Sequence, residues 1–177
     1  SLKKKKLKPL IKINKKEILL RIIEIYKKNG IKDFILLGGY KIGELKKFSK
    51  KVKGVNIQVL DTGLKTETGG RLLRAKKLIK NNNFLLTYGD SLASFNLKKT
   101  FKEKNKSNFI FSAFKYFVPY GVFGHAKRQI NKIYEKNYSV LINAGFYMLD
   151  KRVFNFIKND EDSFENKIIP KIIKSKK

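Results

Sequence analysis

In KKEILLRIIEIYKKNG the apolar positions Ile18, Leu19, Ile22, Ile23 and Tyr26 recur near every 3.6 residues, with charged residues between them, and the run closes on Gly30. That spacing predicts an amphipathic helix with a glycine stop. The next segment, DFILLGG, is a continuous apolar run ended by glycines and predicts a short buried strand. The cycle then repeats: IGELKKFSKKVKG reads as helix, VNIQVLDTG as strand, GGRLLRAKKLIKNN as helix and FLLTYGD as strand. Strands this apolar, separated by helical stretches, predict a parallel sheet covered on both faces. The expected class is α/β, a Rossmann-like, doubly wound, mostly parallel sheet.

Beyond Asp90 the pattern changes. NLKKTFKEKNK reads as an exposed helix, NFIFSAFKYF and QINKIYEKN as strands and YSVLINAGFYMLD as a longer one, before two helical patterns, KRVFNFIKND and DSFENKIIPKIIKSKK. The second half is therefore strand-rich and of mixed direction. No Pro/Gly/Ser-rich linker and no internal repeat divides the chain, so residues 1–177 are expected to form one domain. The start, SLKKKKLKPL, fits less well, because a doubly wound sheet usually begins on its central strand. Either the start is unusual or a first strand is missing.

Composition narrows the field. With 177 residues, 42% of them hydrophobic, the chain is long and apolar enough to bury a core. The absence of cysteine excludes disulfides and thiolate metal sites. There is no apolar run long enough for a transmembrane helix and none behind the N-terminal lysines that would make a signal peptide, so a cytoplasmic location without membrane contact is expected. A net charge of +28 first suggests a polyanionic partner. Its distribution argues against nucleic acid: the basic residues are spread along the chain past the first lysine run, and only five of 42 are Arg. Abundant Lys, Ile, Asn and Phe together point to a coding bias toward A/T-rich codons and to solvated lysine faces.

In open α/β sheets ligands sit outside the carboxyl ends of the strands, which here are LGGY, LDTG, TYGD and NAGF. Taken alone, Asp90 of TYGD fits a helix cap as well as a ligand for Mg²⁺, which takes one or two carboxylates and completes its shell with water and phosphate. In TETGG, Gly69 and Gly70 at a helix start allow close backbone approach by an anionic or carbonyl-bearing ligand, or else serve a tight turn. No P-loop and no GxGxxG occurs. His125, the single histidine, reads as an incidental loop residue, and the aromatics of NFIFSAFKYF fit a core-facing strand better than a base-stacking platform.

Taken in order and spacing, KPLIKINKKEILLRII, GIKDFILLGGY, VLDTGLKTETGGRLLRAKKLI, FLLTYGDSLA, EKN and INAGFYMLD resemble the sugar-1-phosphate nucleotidyltransferases, above all their glucose-1-phosphate cytidylyltransferase branch. The resemblance implies attack of a sugar 1-phosphate on the α-phosphorus of a nucleoside triphosphate, CTP favoured, for nucleotide-sugar and polysaccharide synthesis. It implies Mg²⁺ on Asp90, catalytic roles for Lys8 of KPL and Lys136 of EKN, and nucleotide contacts at Thr68, Gly69, Gly70, Tyr88 and Gly89. Sugar-phosphate contacts fall on Gly124, Glu135, Asn143, Gly145 and Glu165. A homo-oligomer is expected of the full-length protein. The family's GGxGTRL loop and a later strand-borne Asp have no match here, and Ser91, Ser94, Val122 and Asn137 depart from its motifs. The chain is accordingly expected to be incomplete at both ends and inactive on its own. The rival readings are a basic α/β module that binds nucleic acid nonspecifically and a homologue that binds nucleotide sugar without catalysis.

Overall fold

The computed structural model describes residues 6–93, 96–104, 107–126 and 129–175, the side chains of His125 and Ala126 excepted. A 3-10 turn, Lys8–Leu10, leads into a two-residue antiparallel ladder between β1 (Lys12–Ile13) and β2 (Lys16–Glu17), and then into α1 (Ile18–Lys28). β3 (Asp33–Gly38), α2 (Ile42–Ser49), β4 (Asn56–Asp61), α3 (Thr68–Arg74), β5 (Asn83–Thr87) and α4 (Leu97–Lys104) follow. The second half comprises β6 (Ile110–Phe117), β7 (Val122–Ala126), β8 (Gln129–Tyr134) and β9 (Ser139–Asp150). It ends with a 3-10 segment Lys151–Phe156, a π turn Phe164–Ile168 and α5 (Ile169–Lys174).

On α1 the buried positions are Leu19, Ile22, Ile23 and Tyr26, the i, i+3, i+4, i+7 stripe that the sequence pattern predicts. One flank of that stripe, Leu19 and Ile23, packs with Leu45 and Phe48 of α2 over Phe34, Leu36, Ile57 and Val59 of β3 and β4. The other flank, Ile22 and Tyr26, packs on Leu85 of β5, Phe146 of β9 and Leu97 of α4. A single helix thus spans two sheets. β3 and β4 are parallel, in register from Asp33↔Asn56 to Gly38↔Asp61, whereas β5, β9 and β6 form an antiparallel sheet in that order.

The apolar runs of β5 and β9 follow from what covers them. Successive side chains of a strand face opposite ways: Leu85 and Phe146 meet α1, while Phe84, Leu86, Tyr147 and Leu149 meet Leu72 of α3, Phe154, Phe164, Ile168 and Ile172. Both faces are covered, so nothing in this stretch of β9 is polar until Asp150. That carboxylate is buried beside Arg152 and Lys104, accepts the Arg152 N–H at 3.0 Å, and so caps the 3-10 segment and ties α4 to the end of the sheet. Burial alone would raise its pKa, but the hydrogen bonds from Arg152 and Lys104 outweigh it and hold it below the ordinary carboxylate range.

The structure is α/β, and it amends the sequence reading in detail. Among the described residues parallel pairing is confined to β3 and β4, and β5 pairs with β9 alone; periodicity reports burial on both faces and not strand direction. GGRLLRAKKLIKNN is helical only to Arg74, after which i→i+3 bonds such as Lys76 N–H to Leu73 O tighten the chain into turns. His125, expected as a loop residue, lies on strand β7 in a ladder with β8. NFIFSAFKYF divides: Phe109 and Phe111 belong to the core, whereas Phe114 and Phe117 are exposed. Among the described residues no helix is long and apolar enough to cross a membrane.

Candidate active site

β5 delivers Tyr88, Gly89 and Asp90 beyond its C-terminal end, and Tyr88 N–H donates to the Gly145 carbonyl at 3.2 Å, continuing the ladder onto β9. Along β9, Asn143, Gly145 and Tyr147 occupy alternate positions. Gly145 has φ +73°, and a Cβ there would overlap the Tyr88 ring, so the ring rests directly on the glycine. The Tyr88 hydroxyl lies 2.8 Å from that of Tyr147 and donates to Glu165 Oε1. Glu165 Oε2 accepts from Thr68 Oγ1 at 2.7 Å and Ser163 Oγ at 3.2 Å. The Asn143 amide is within hydrogen-bond reach of the Tyr147 hydroxyl, and its Oδ1 accepts the Gly145 N–H at 2.9 Å.

These contacts set the protonation states. Burial by itself would push the Glu165 pKa up, but hydrogen bonds from Tyr88, Thr68 and Ser163 outweigh it, leaving it below the usual range. Tyr88 is raised by burial and by its bond to Glu165, and Tyr147 is raised mainly by burial. At neutral pH the cluster therefore holds one carboxylate among protonated phenols. It presents an acceptor of fixed position, suited to hydroxyl donors.

A second group lies at the same strand end. Pro9 sits against Gly89, where an added Cβ would be 3.1 Å from Pro9 Cγ, so the KPL turn carrying Lys8 rests on the turn carrying Asp90. Both Lys8 and Asp90 are exposed. Among the described residues Asp90 has no hydrogen-bond or ion-pair partner, and no group of three or more His, Cys, Asp or Glu could enclose a metal. A single unpaired hard carboxylate facing solvent fits Mg²⁺, which leaves most of its shell to water and phosphate oxygens.

Other expected site residues are placed differently. Gly69 and Gly70 are buried, and a Cβ on either would collide with the backbone of Asp162 or Asp160. Glu67 N–H donates to Asp160 O at 2.8 Å and Gly70 N–H to Asp162 O at 3.2 Å. The close approach that these glycines permit is taken up by the chain's own 160–162 segment, which also occupies N–H groups expected to meet a ligand. Gly124 lies on β7, and Glu135 and Lys136 lie just past β8, both exposed; the structure shows no bond from them to the Tyr88 cluster. Asp61 of LDTG closes its own turn by accepting the Gly63 N–H at 2.9 Å. Beside that turn an open hollow of about 420 Å³ is lined in part by Lys65, Arg74 and Asp160, and it includes no residue of the cluster. Its Arg74 is spent on Asp160. Ser94 lies outside the described residues.

Comparison with known proteins fixes what this arrangement belongs to. Residues 1–177 match the nucleotidyl transferase family. The glucose-1-phosphate cytidylyltransferase of Salmonella typhi is 31% identical, over 89% of this chain and 72% of its own length. The chain belongs to the sugar-1-phosphate nucleotidyltransferases. A D-glycero-α-D-manno-heptose 1-phosphate guanylyltransferase of Campylobacter jejuni is also 31% identical, over 89% of this chain and 73% of its own. The solved structure of HddC from Yersinia pseudotuberculosis, complexed with GMP-PN, superposes with a TM-score of 0.75 at 26% identity, covering 97% of this chain and 80% of that one. As a member of a transferase family, the chain carries in Tyr147 and Ser163 two cluster residues that the motif reading omits. Tyr147 had a signal: it continues the alternation of Asn143 and Gly145 along one strand. Ser163 had only the signal of a helix N-cap, its hydroxyl accepting the Asn166 N–H at 3.2 Å; that the neighbouring Glu165 also meets Tyr88 and Thr68 is set by tertiary packing.

Proposed function

We propose that this nucleotidyltransferase moves a cytidylyl group from CTP to a sugar 1-phosphate. A phosphate oxygen of the sugar 1-phosphate attacks the α-phosphorus in line, a new P–O bond forms, the α–β P–O bond breaks, and pyrophosphate leaves. The observation that carries the reading is the convergence at one strand end of Asp90, the Lys8 turn and the ionised Glu165 with Tyr88 and Asn143. Glu165 and Asn143 bind and orient the sugar hydroxyls. Lys8 and Lys136 offset the charge of the phosphates, and Gly89 and Thr68 line the nucleotide side, while Gly69 and Gly70 are buried against the 160–162 segment and act only by holding it there. Gly124 of β7 and Glu135, just past β8, are assigned to the sugar side on their motif match alone. Mg²⁺ held by Asp90 would supply charge neutralisation at the nucleotide phosphates. Such chemistry depends on positioning and electrostatics more than on a nucleophilic side chain. The protein is proposed to work as a cytoplasmic homo-oligomer in nucleotide-sugar supply for polysaccharide synthesis.

Titration calorimetry of the chain with CTP and with GTP, with and without MgCl₂, tests the reading. Saturable, Mg²⁺-dependent binding is expected, tighter for CTP, and weakened at least tenfold in Asp90→Ala with an unchanged circular dichroism spectrum. Preference for GTP would move the base assignment to guanine. Binding indifferent to Mg²⁺ and to base, and collapsing as salt rises, would replace the reading with nonspecific polyanion affinity.

A further inference from the structure

Residues 160–162 read Asp-Glu-Asp, three acids in a row in a chain with 14 acidic against 42 basic residues. The three have different fates. Asp160 pairs with Arg74 at the surface and Glu161 is exposed, whereas Asp162 is only 4% exposed. A carboxylate is buried only where its charge is met. Asp162 Oδ2 accepts the Lys158 N–H at 2.7 Å and the Asn159 N–H at 3.4 Å, and Oδ1 accepts from Lys167 Nζ at 3.3 Å. The Lys158 N–H above all, with Lys167 and Asn159, outweighs burial and holds Asp162 below the ordinary carboxylate range. Its side chain thus closes residues 158–162 into a loop and ties that loop to Lys167, two residues past Glu165.

The loop is laid on the start of α3. Asp160 O accepts the Glu67 N–H at 2.8 Å and Asp162 O accepts the Gly70 N–H at 3.2 Å. Thr68, between those two donors, accepts the Phe164 N–H at 2.8 Å and donates its hydroxyl to Glu165 Oε2 at 2.7 Å. Ser163, the residue after Asp162, donates to the same oxygen at 3.2 Å. Two of the three hydroxyl donors on Glu165 are therefore placed by the loop, one carried on it and one clasped beneath it. Only Tyr88 reaches Glu165 from the strand end.

We infer that Asp162 is a positioning residue for Glu165, setting the carboxylate that orients the sugar 1-phosphate without touching the sugar itself. The inference rests on the proposed function for the part that Glu165 plays. Asp162 fixes the chain on both sides of Glu165, through Ser163 before it and Lys167 after it. A role in stability alone fits less well. Phe164, Ile168 and Ile172 are at most 1% exposed in the core, so the segment stays anchored by apolar packing when Asp162 is replaced, and what loosens is the loop with its donors. An amide of the same shape would keep one acceptor but turn an NH₂ group toward donors, so the charge is part of the fit.

The test follows the Glu165 side-chain carboxyl carbon by ¹³C NMR from pH 3 to 8, its resonance assigned by its loss in Glu165→Gln. Tyr88 and Tyr147, the other titratable groups of the cluster, stay protonated over this range. In Asp162→Ala the titration midpoint of Glu165 is expected to rise by about one pH unit, because burial remains while the Thr68 and Ser163 donors loosen. Asp162→Asn should give a smaller rise, and Glu161→Gln should superimpose on wild type. Removing a neighbouring negative charge would by itself lower the midpoint, so a rise reports lost donors. By calorimetry, Asp162→Ala should bind glucose 1-phosphate about tenfold more weakly than wild type does. A midpoint unchanged or lowered in both Asp162 variants overturns the inference, even if their melting temperatures fall. If glucose 1-phosphate fails to bind the wild type while the midpoint still rises, the positioning of Glu165 stands and the proposed function is what fails.

Discussion

At Gly145 the backbone enters the left-handed region and the Tyr88 ring closes over its α-carbon. Any side chain there meets two costs at once, strained φ and displacement of the ring whose hydroxyl holds Glu165. Gly145→Ala is expected to lose about 2–3 kcal/mol of stability by urea denaturation, the upper part of the usual range for such strain. It should also shift the aromatic NMR resonances of Tyr88 and Tyr147; a loss under 0.5 kcal/mol with unmoved resonances would refute the account. Glycine in NAGF and the carboxylate Glu165 were both legible as candidate residues. What links them was not, because Tyr88 joins segments that are far apart in the chain, and no local pattern records which ring lies over which glycine. Gly69 and Gly70 carry the same lesson in reverse: their motif was legible, but the segment that uses their missing Cβ atoms, 160–162, was not.

Among elements, α1 and β9 do the most to position the site. α1 reaches from the β3–β4 pair to the β5–β9 sheet, and Tyr26, at its far flank, hydrogen-bonds Thr87, the residue before Tyr88. Burial pushes the Tyr26 phenol up to about 12, against a smaller lowering by that hydrogen bond. Its folded pKa is raised above the unfolded value near 10, so this contribution is complete below pH 10 and is lost as pH climbs from 10 to 12. About two pKa units correspond to roughly 2–3 kcal/mol. In urea titrations compared between wild type and Tyr26→Phe, the wild type should lose that extra amount across pH 10–12, and parallel pH profiles would contradict it. At pH 7 the variant should be about 1 kcal/mol less stable, for the lost hydrogen bond. The α1 stripe and most strands were readable because burial imposes a period. The direction of β5 and the existence of β7 were not, since pairing partners lie elsewhere in the chain and leave no periodic trace.

For the whole molecule, net charge and topology act together. With 42 basic against 14 acidic residues, self-repulsion opposes the compact state, and salt screens it. The melting temperature should therefore rise between 20 and 300 mM NaCl, by calorimetric scanning; a flat or falling trend would show that the lysines are spaced too widely to repel. Class and the apolar stripes were legible in residue type and local spacing, while the family and the candidate acids Asp90 and Glu165 came from the ordered set of motifs that resembles it. Tertiary structure alone decided that Glu165 is ionised under three hydroxyl donors, that Gly69 and Gly70 serve the chain's own backbone, and that Leu141 and Ile142 of the apolar strand β9 are exposed. Those outcomes depend on which distant segment comes within a few ångströms, and burial, hydrogen bonding and exposure are properties of that proximity rather than of the order of residues.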